Sequence, residues 1–154
     1  MDCSAARDIF GTPAQVEYRI LSSADRVSAL ENNEIQQLMA QLRQELAGKR
    51  LILSVERLDY TKGILEKLEA FERLLDEYPE MQNKVTLVTV CVPAAKEMTI
   101  YNKLQNQIEQ AVGRINGKFA RIGWTPVQFF FRAVPFERLV AYYAMADVMW
   151  ITPL

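Results

Sequence analysis

Histidine is absent from this chain of 154 residues, and cysteine occurs twice, as Cys3 and Cys91. Without histidine, Ser-His-Asp and Cys-His catalysis and histidine-based metal sites are excluded from this stretch. Two cysteines cannot build a disulfide framework, and neither has neighbours at metal-ligand spacing. Neither charge sign is in excess, because 18 Lys and Arg against 19 Asp and Glu leave a net charge of −1. No global field therefore recruits nucleic acid or an anionic membrane, and a basic site must be local. No apolar run approaches the ~18 residues of a membrane helix. Residues 1–6 carry an acid and lack the apolar core of a secretory signal. The expected compartment is a reducing cytoplasm.

What is present is a regular alternation of short apolar runs and amphipathic stretches, with 50% apolar residues overall, ordinary for one globular domain. Residues 1–30 say least: a turn at Gly11-Thr12-Pro13, a short strand over 16–21 and a loop at 22–25 are the expectations. Ile35, Leu38, Met39, Leu42 and Leu46 recur at helical spacing, with Gly48 just past the end as a C′ residue. From there the sequence predicts a strand over 51–55 and a helix carrying Ile64, Leu68, Phe71, Leu75 and Tyr78 that stops at Pro79. A strand over 85–92 follows, then a helix through Tyr101, Leu104, Ile108, Ala111 and Ile115 that ends at Gly117. A strand over 127–131, a helix through Phe136, Leu139, Val140 and Tyr143, and a strand over 148–152 complete the pattern. Such an order predicts an α/β fold: a mainly parallel sheet with helices on both faces. Two parts are expected, an N-terminal segment with one helix over 1–48 and a Rossmann-like domain over 49–154. A sheet ending on an apolar strand exposes one face, so the chain is expected to be a piece of a longer protein.

Ligands of parallel sheets bind beyond the carboxyl ends of the strands. The most specific stretch lies at such an exit: Val55-Glu56-Arg57-Leu58-Asp59-Tyr60-Thr61-Lys62-Gly63. Arg57 can fork two oxygens, Lys62 adds a point charge, and Gly63 lets backbone approach closely. The helix that follows favours anions at its N-terminus, so a diphosphate suits the loop. The alternative is a solvated pair of Arg57 with Glu56 or Asp59, worth ~0–1 kcal/mol. Spacing alone leans slightly to the solvated pair. Gly113-Arg114-Ile115-Asn116-Gly117-Lys118 is one residue short of a Walker loop, lacks the Ser or Thr and ends a helix, so it reads as structural. Pro93-Ala94-Ala95 reads as a helix start with proline at its first position. Trp124 and Trp150 are expected in the core.

The stretch 55–63 resembles the signature of the trehalose-6-phosphate synthase family of retaining glycosyltransferases. The blocks 113–118, Gly123-Trp124-Thr125-Pro126, Ala146-Asp147-Val148 and Thr152-Pro153-Leu154 match in the same order and spacing, so the resemblance covers about 49–154. It implies one half of a two-domain GT-B enzyme, with Arg57, Lys62, Gly63 and Val134 as donor-binding residues. Arg57 and Lys62 would neutralise the departing nucleotide diphosphate, making them the catalytic residues. The leaving phosphate itself would take the acceptor's proton. No metal or other cofactor is implied, and the partners are small-molecule substrates and the rest of the enzyme, with neither nucleic acid nor membrane.

Family members that use glucose 6-phosphate resemble Ala-Pro-Thr-Ser-Arg at the second strand's exit. Here Cys91-Val92-Pro93-Ala94-Ala95 puts Ala95 at the arginine's place, with Lys96 beside it. That pattern, with residues 136–143, is similar to a branch that glucosylates sn-glycerol 3-phosphate from ADP-glucose in compatible-solute synthesis. The alternatives are transfer to glucose 6-phosphate, a nucleotide-binding domain without turnover, and an inert fragment. The isolated chain is expected to be inactive. No two carboxylates are set apart as acid and nucleophile, which speaks against glycoside hydrolysis.

Overall fold

A computed structural model of the chain describes residues 31–93 and 99–152. The turn at 11–13, the strand over 16–21, the loop at 22–25, and Ala95 and Lys96 lie outside the described residues.

The first described helix, α1 (Asn33–Leu46), begins where Asn32 accepts a hydrogen bond from the Glu34 amide at 2.8 Å. It ends in two left-handed residues, Ala47 (φ 48°) and Gly48 (φ 80°). Only the second is a residue for which that conformation is free of strain. The strand β1 (Arg50–Arg57) follows, then a single 3₁₀ turn (Tyr60–Lys62) and α2 (Ile64–Glu77). After it come β2 (Val85–Val92), α3 (Thr99–Phe119), β3 (Val127–Phe130), α4 (Phe136–Met145) and β4 (Val148–Met149).

The four strands form one parallel sheet in the order β3-β2-β1-β4. The helices cover both faces. On one, Leu68, Phe71 and Leu75 of α2 and Ile108 and Ile115 of α3 pack against Leu87, Cys91 and Val127. On the other, Leu51, Leu53, Val55, Val88 and Val90 meet Leu46 and Tyr142, while Ile35 and Met39 of α1 pack on Ala141 of α4. This partition follows from the pleat, since alternate residues of β1 and β2 address opposite layers. The α/β expectation and its parallel sheet are what the structure contains.

Several boundaries differ from the sequence reading: β1 is longer than the expected 51–55, β3 stops one residue short of 131, and three further differences have a local setting. Gly117 does not end its helix: α3 runs on to Phe119, and Gly117 is not among the left-handed glycines. Burial of Phe119 and the bonding of Lys118 to Asp76 at 2.5 Å outweigh the ~1 kcal/mol helix penalty of a glycine. Tyr78 leaves the apolar stripe and stands half exposed as the cap of α2, ahead of Pro79. β4 is only two residues long, paired to Ile52 and Leu53. Beyond it the Trp150 amide still donates to the Leu53 carbonyl, at 2.8 Å, but Thr152 turns away to another partner described below. Val148 and Ile151 on this edge are more than half exposed.

Candidate functional site

The strand order reverses direction beside β1. The chain steps from β1 to β2 to β3 on one side, then returns to place β4 on the other. A crevice opens at such a reversal, outside the carboxyl ends of the two strands that flank it. Here these are the exits of β1, which leads to Arg57, and of β4, which leads to Thr152. The structure joins the two exits directly, because Thr152 Oγ1 donates to the Lys62 carbonyl at 3.1 Å.

The loop between them is shaped by Asp59. Its carboxylate accepts the Thr61 amide and the Thr61 hydroxyl, both at 2.8 Å, and so caps the 3₁₀ turn that carries Lys62. Its other oxygen lies 3.5 Å from the Arg57 guanidinium. Burial works to raise the Asp59 pKa, but the two bonds from Thr61 and the charges of Arg57 and Lys62 hold it below the ordinary aspartate range. Asp59 is therefore an anion at neutral pH, committed to the turn and to Arg57. Lys62 has no ion-pair partner among the described residues. Gly63 follows in the left-handed region (φ 59°, ψ 36°) and starts α2 with no side-chain cap. A non-glycine residue would be strained there, and the first amides of α2 keep their capacity to bind an anion. Two half-buried cations thus stand beside an uncapped helix N-terminus.

Glu56 does not pair with Arg57, as one sequence reading allowed. It turns under the sheet and pairs with Lys67 of α2, both side chains being 4% exposed. Neither residue was singled out as part of the site from sequence. The signals were there: Lys67 falls inside the apolar stripe of its helix, between Ile64 and Leu68, and Glu56 follows Ser54 at the strand period. Nearby, burial and the charge of Glu56 push the Cys91 thiol up to about 12. It stays protonated at neutral pH and is no nucleophile.

Val134 lies apart from this loop, on the wall of a cavity of about 340 Å³ beyond β3. Leu38, Phe130, Arg132, Arg138 and Tyr142 share that wall. The Arg132 guanidinium stands 5.7 Å from the Phe130 ring centre, and the Phe130 and Tyr142 rings stack at 6.3 Å. Val55, Val90 and Phe130 are level across the sheet. The strand ends that lead to the cavity and to the Arg57 loop are therefore level, two strand spacings or roughly 10 Å apart.

The remaining sequence blocks serve the scaffold. Arg114 binds Glu72 through two nitrogens at 3.0 and 2.9 Å, tying α3 to α2. Asn116 donates to the Val127 carbonyl and accepts its amide, at 2.9 and 3.0 Å. Nothing in the structure explains glycine at 113 or 117, where an added Cβ would meet open space. Trp124 is buried and donates to the Val85 carbonyl at 2.9 Å, while Trp150 is half-buried against the same core. Asp147 binds Arg50 at 2.6 Å and the Leu51 amide at 2.8 Å. Among the described residues no group of three or more acidic, cysteine or histidine side chains could hold a metal, and no helix is long and apolar enough to cross a membrane.

The chain is 76% identical over 127 residues to the glucosylglycerol-phosphate synthase of Pseudomonas anguilliseptica, covering 82% of this chain and 17% of that protein. It is 48% identical over 120 residues to the enzyme of the same name from Synechocystis sp., covering 78% and 24%. Among solved structures it superposes with TM-score 0.78 on the Escherichia coli trehalose-6-phosphate protein bound with UDP-2-fluoro glucose, at 32% identity, covering 87% of this chain and 30% of that one. A UDP-forming trehalose-phosphate synthase from Burkholderia xenovorans in complex with glucose-6-phosphate gives the same TM-score at 34% identity, covering 84% and 28%. The chain thus spans between a sixth and a third of the length of these relatives. The model of glycosyltransferase family 20 matches residues 21–154, and the chain belongs to that family.

Proposed function

We propose that this segment grips the diphosphate of a nucleotide sugar in a retaining glucosyltransferase, with ADP-glucose as donor and sn-glycerol 3-phosphate as acceptor. The observation that carries the reading is the pairing of Arg57 and Lys62 at the reversal of strand order, beside an uncapped helix N-terminus. Lys62 is free of ion pairs among the described residues, and Arg57 holds Asp59 only loosely, at 3.5 Å. Charge grows on the leaving diphosphate as the glycosidic bond breaks. Cations fixed in advance where that charge develops stabilise the transition state more than the ground state. The leaving phosphate takes the acceptor's proton, so the segment supplies electrostatics and position and no base.

The cavity at Val134 receives the nucleoside end of the donor, with Phe130 and Tyr142 as its aromatic surface. The spacing of the strand ends that lead to it and to the Arg57 loop fits a molecule whose diphosphate and base lie along one sheet edge. A donor analogue, UDP-2-fluoro glucose, is held by the E. coli relative of the same fold. The choice of sn-glycerol 3-phosphate rests on the 76% identity to a glucosylglycerol-phosphate synthase and on Ala95, which lacks a guanidinium fork. Lys96 beside it is the acceptor-side cation. We place the reaction in the cytoplasm, as a step toward an osmoprotectant.

The experiment is a side-by-side measurement of nucleotide release by the full-length protein that carries this segment, with each acceptor and ADP-glucose. Losing one charge-assisted hydrogen bond to a sugar phosphate is worth roughly 1.5–3 kcal/mol, about tenfold to a hundredfold in preference. Preference for sn-glycerol 3-phosphate by that factor is expected. Preference for glucose 6-phosphate would make the segment part of a trehalose-phosphate synthase and overturn the use of Ala95.

A further inference from the structure

Glu56 and Lys67 stand at the two ends of the loop that carries the cations. Ser54, Glu56 and Lys67 are all at least nine-tenths buried. The Lys67 ammonium donates to Ser54 Oγ at 2.9 Å and pairs with Glu56 Oε1. Within the segment that this pair brackets, the Lys62 carbonyl accepts from Thr152 Oγ1. Glu56 Oε2 is buried with no partner. The Glu56 carboxylate therefore ties β1 to α2, and the segment between Glu56 and Lys67 contains both Arg57 and Lys62.

A buried ion pair is a poor way to gain stability. Desolvation of both charges offsets their attraction, and an apolar pair of similar volume is often as stable. What the pair supplies is a fixed geometry, because each charge admits few places for the other. Here that geometry sets the base of the loop 57–66. We propose that the Glu56–Lys67 pair is a positioning device for the donor site: it holds Arg57 and Lys62 at the separation where one diphosphate meets both. Glu56 and Lys67 touch no substrate; they act through the loop. The inference rests on the diphosphate reading given above.

The test compares three forms of the full-length protein: the parent, Glu56→Gln/Lys67→Met, and Arg57→Ala/Lys62→Ala. Melting temperature, ADP affinity by calorimetry, donor KM and acceptor KM are measured on each. The double variant at the pair removes both charges at near-constant volume. It is expected to melt close to the parent, with ADP affinity and donor kcat/KM lowered about tenfold or more and acceptor KM unchanged. Misplacement of a bound group by ~1 Å is enough for losses of that size. Parental donor kcat/KM in the folded double variant would overturn the proposal, since a merely structural pair is dispensable once charge balance is kept. If that variant does not fold, Glu56→Asp decides, for it keeps the charge and withdraws the carboxylate by one methylene. A raised donor KM supports the proposal and a parental one overturns it. If Arg57→Ala/Lys62→Ala binds ADP like the parent, the diphosphate reading itself fails, an outcome distinct from failure of the pair alone.

Discussion

Asp147 shows how one carboxylate near the surface locks a sheet edge. It accepts from the Leu51 amide and from Arg50, and its own amide donates to the Leu51 carbonyl at 2.9 Å. The Leu51 amide, then Arg50, hold its pKa below the ordinary aspartate value. A depressed folded pKa means stability that is present above the unfolded value, about 3.9, and lost as pH falls through the folded one. Asp147→Asn is therefore expected to cost about 1 kcal/mol at neutral pH, and its deficit against the parent should shrink as acid protonates Asp147. Denaturant titration at several pH values checks this, and a deficit independent of pH would contradict it. At this scale spacing alone left Arg57 and Lys62 open to a solvated surface pairing, and their donor roles came from the family resemblance. Glu56 and Lys67 were passed over because charged residues are ordinarily solvated, although their positions in the helix stripe and on the strand face already marked them for burial.

The elements follow from periodicity wherever packing and local preference agree. β2 spans the residues its β-branched run predicts, and α2 buries Leu68, Phe71 and Leu75 as its stripe requires. Where they disagree, packing decides. α3 runs through two glycines because Ile115 and Phe119 are buried beyond them, a contact that local propensity does not register. β4 stops after two pairs because Thr152 is drawn to Lys62, which no strand pattern encodes. Asn116 is the link between α3 and β3, and its side chain bonds both backbone groups of Val127. Asn116→Ala should leave these groups unpaired at a cost of about 1–3 kcal/mol. Hydrogen exchange at the Val127 amide is expected to quicken by one to two orders of magnitude, roughly the factor that cost implies. Unchanged exchange there would show that the link is not needed.

For the whole molecule, the sheet order sets where function sits. The reversal beside β1 brings the exits of β1 and β4 together, and every group assigned to the diphosphate belongs to one of them or to the start of α2. The order itself was not legible from local pattern, since alternating strands and helices fit more than one arrangement of four strands. Two of the loops that the carboxyl-edge rule names, those after β1 and β4, meet at one crevice. Of the blocks that resemble the family, 113–118, 123–126 and 146–148 serve helix and strand packing, while 55–63 and Thr152 meet at the crevice.

The central claim is tested most directly by Lys62→Ala in the full-length protein that carries this segment. Glucosyl transfer is measured as nucleotide release under saturating acceptor, with melting temperature as the control for folding. A fall in kcat of about 10²-fold or more is expected, the scale of losing one group fixed against developing charge. Near-parental kcat in a folded Lys62→Ala protein would contradict the assignment of the diphosphate to this loop.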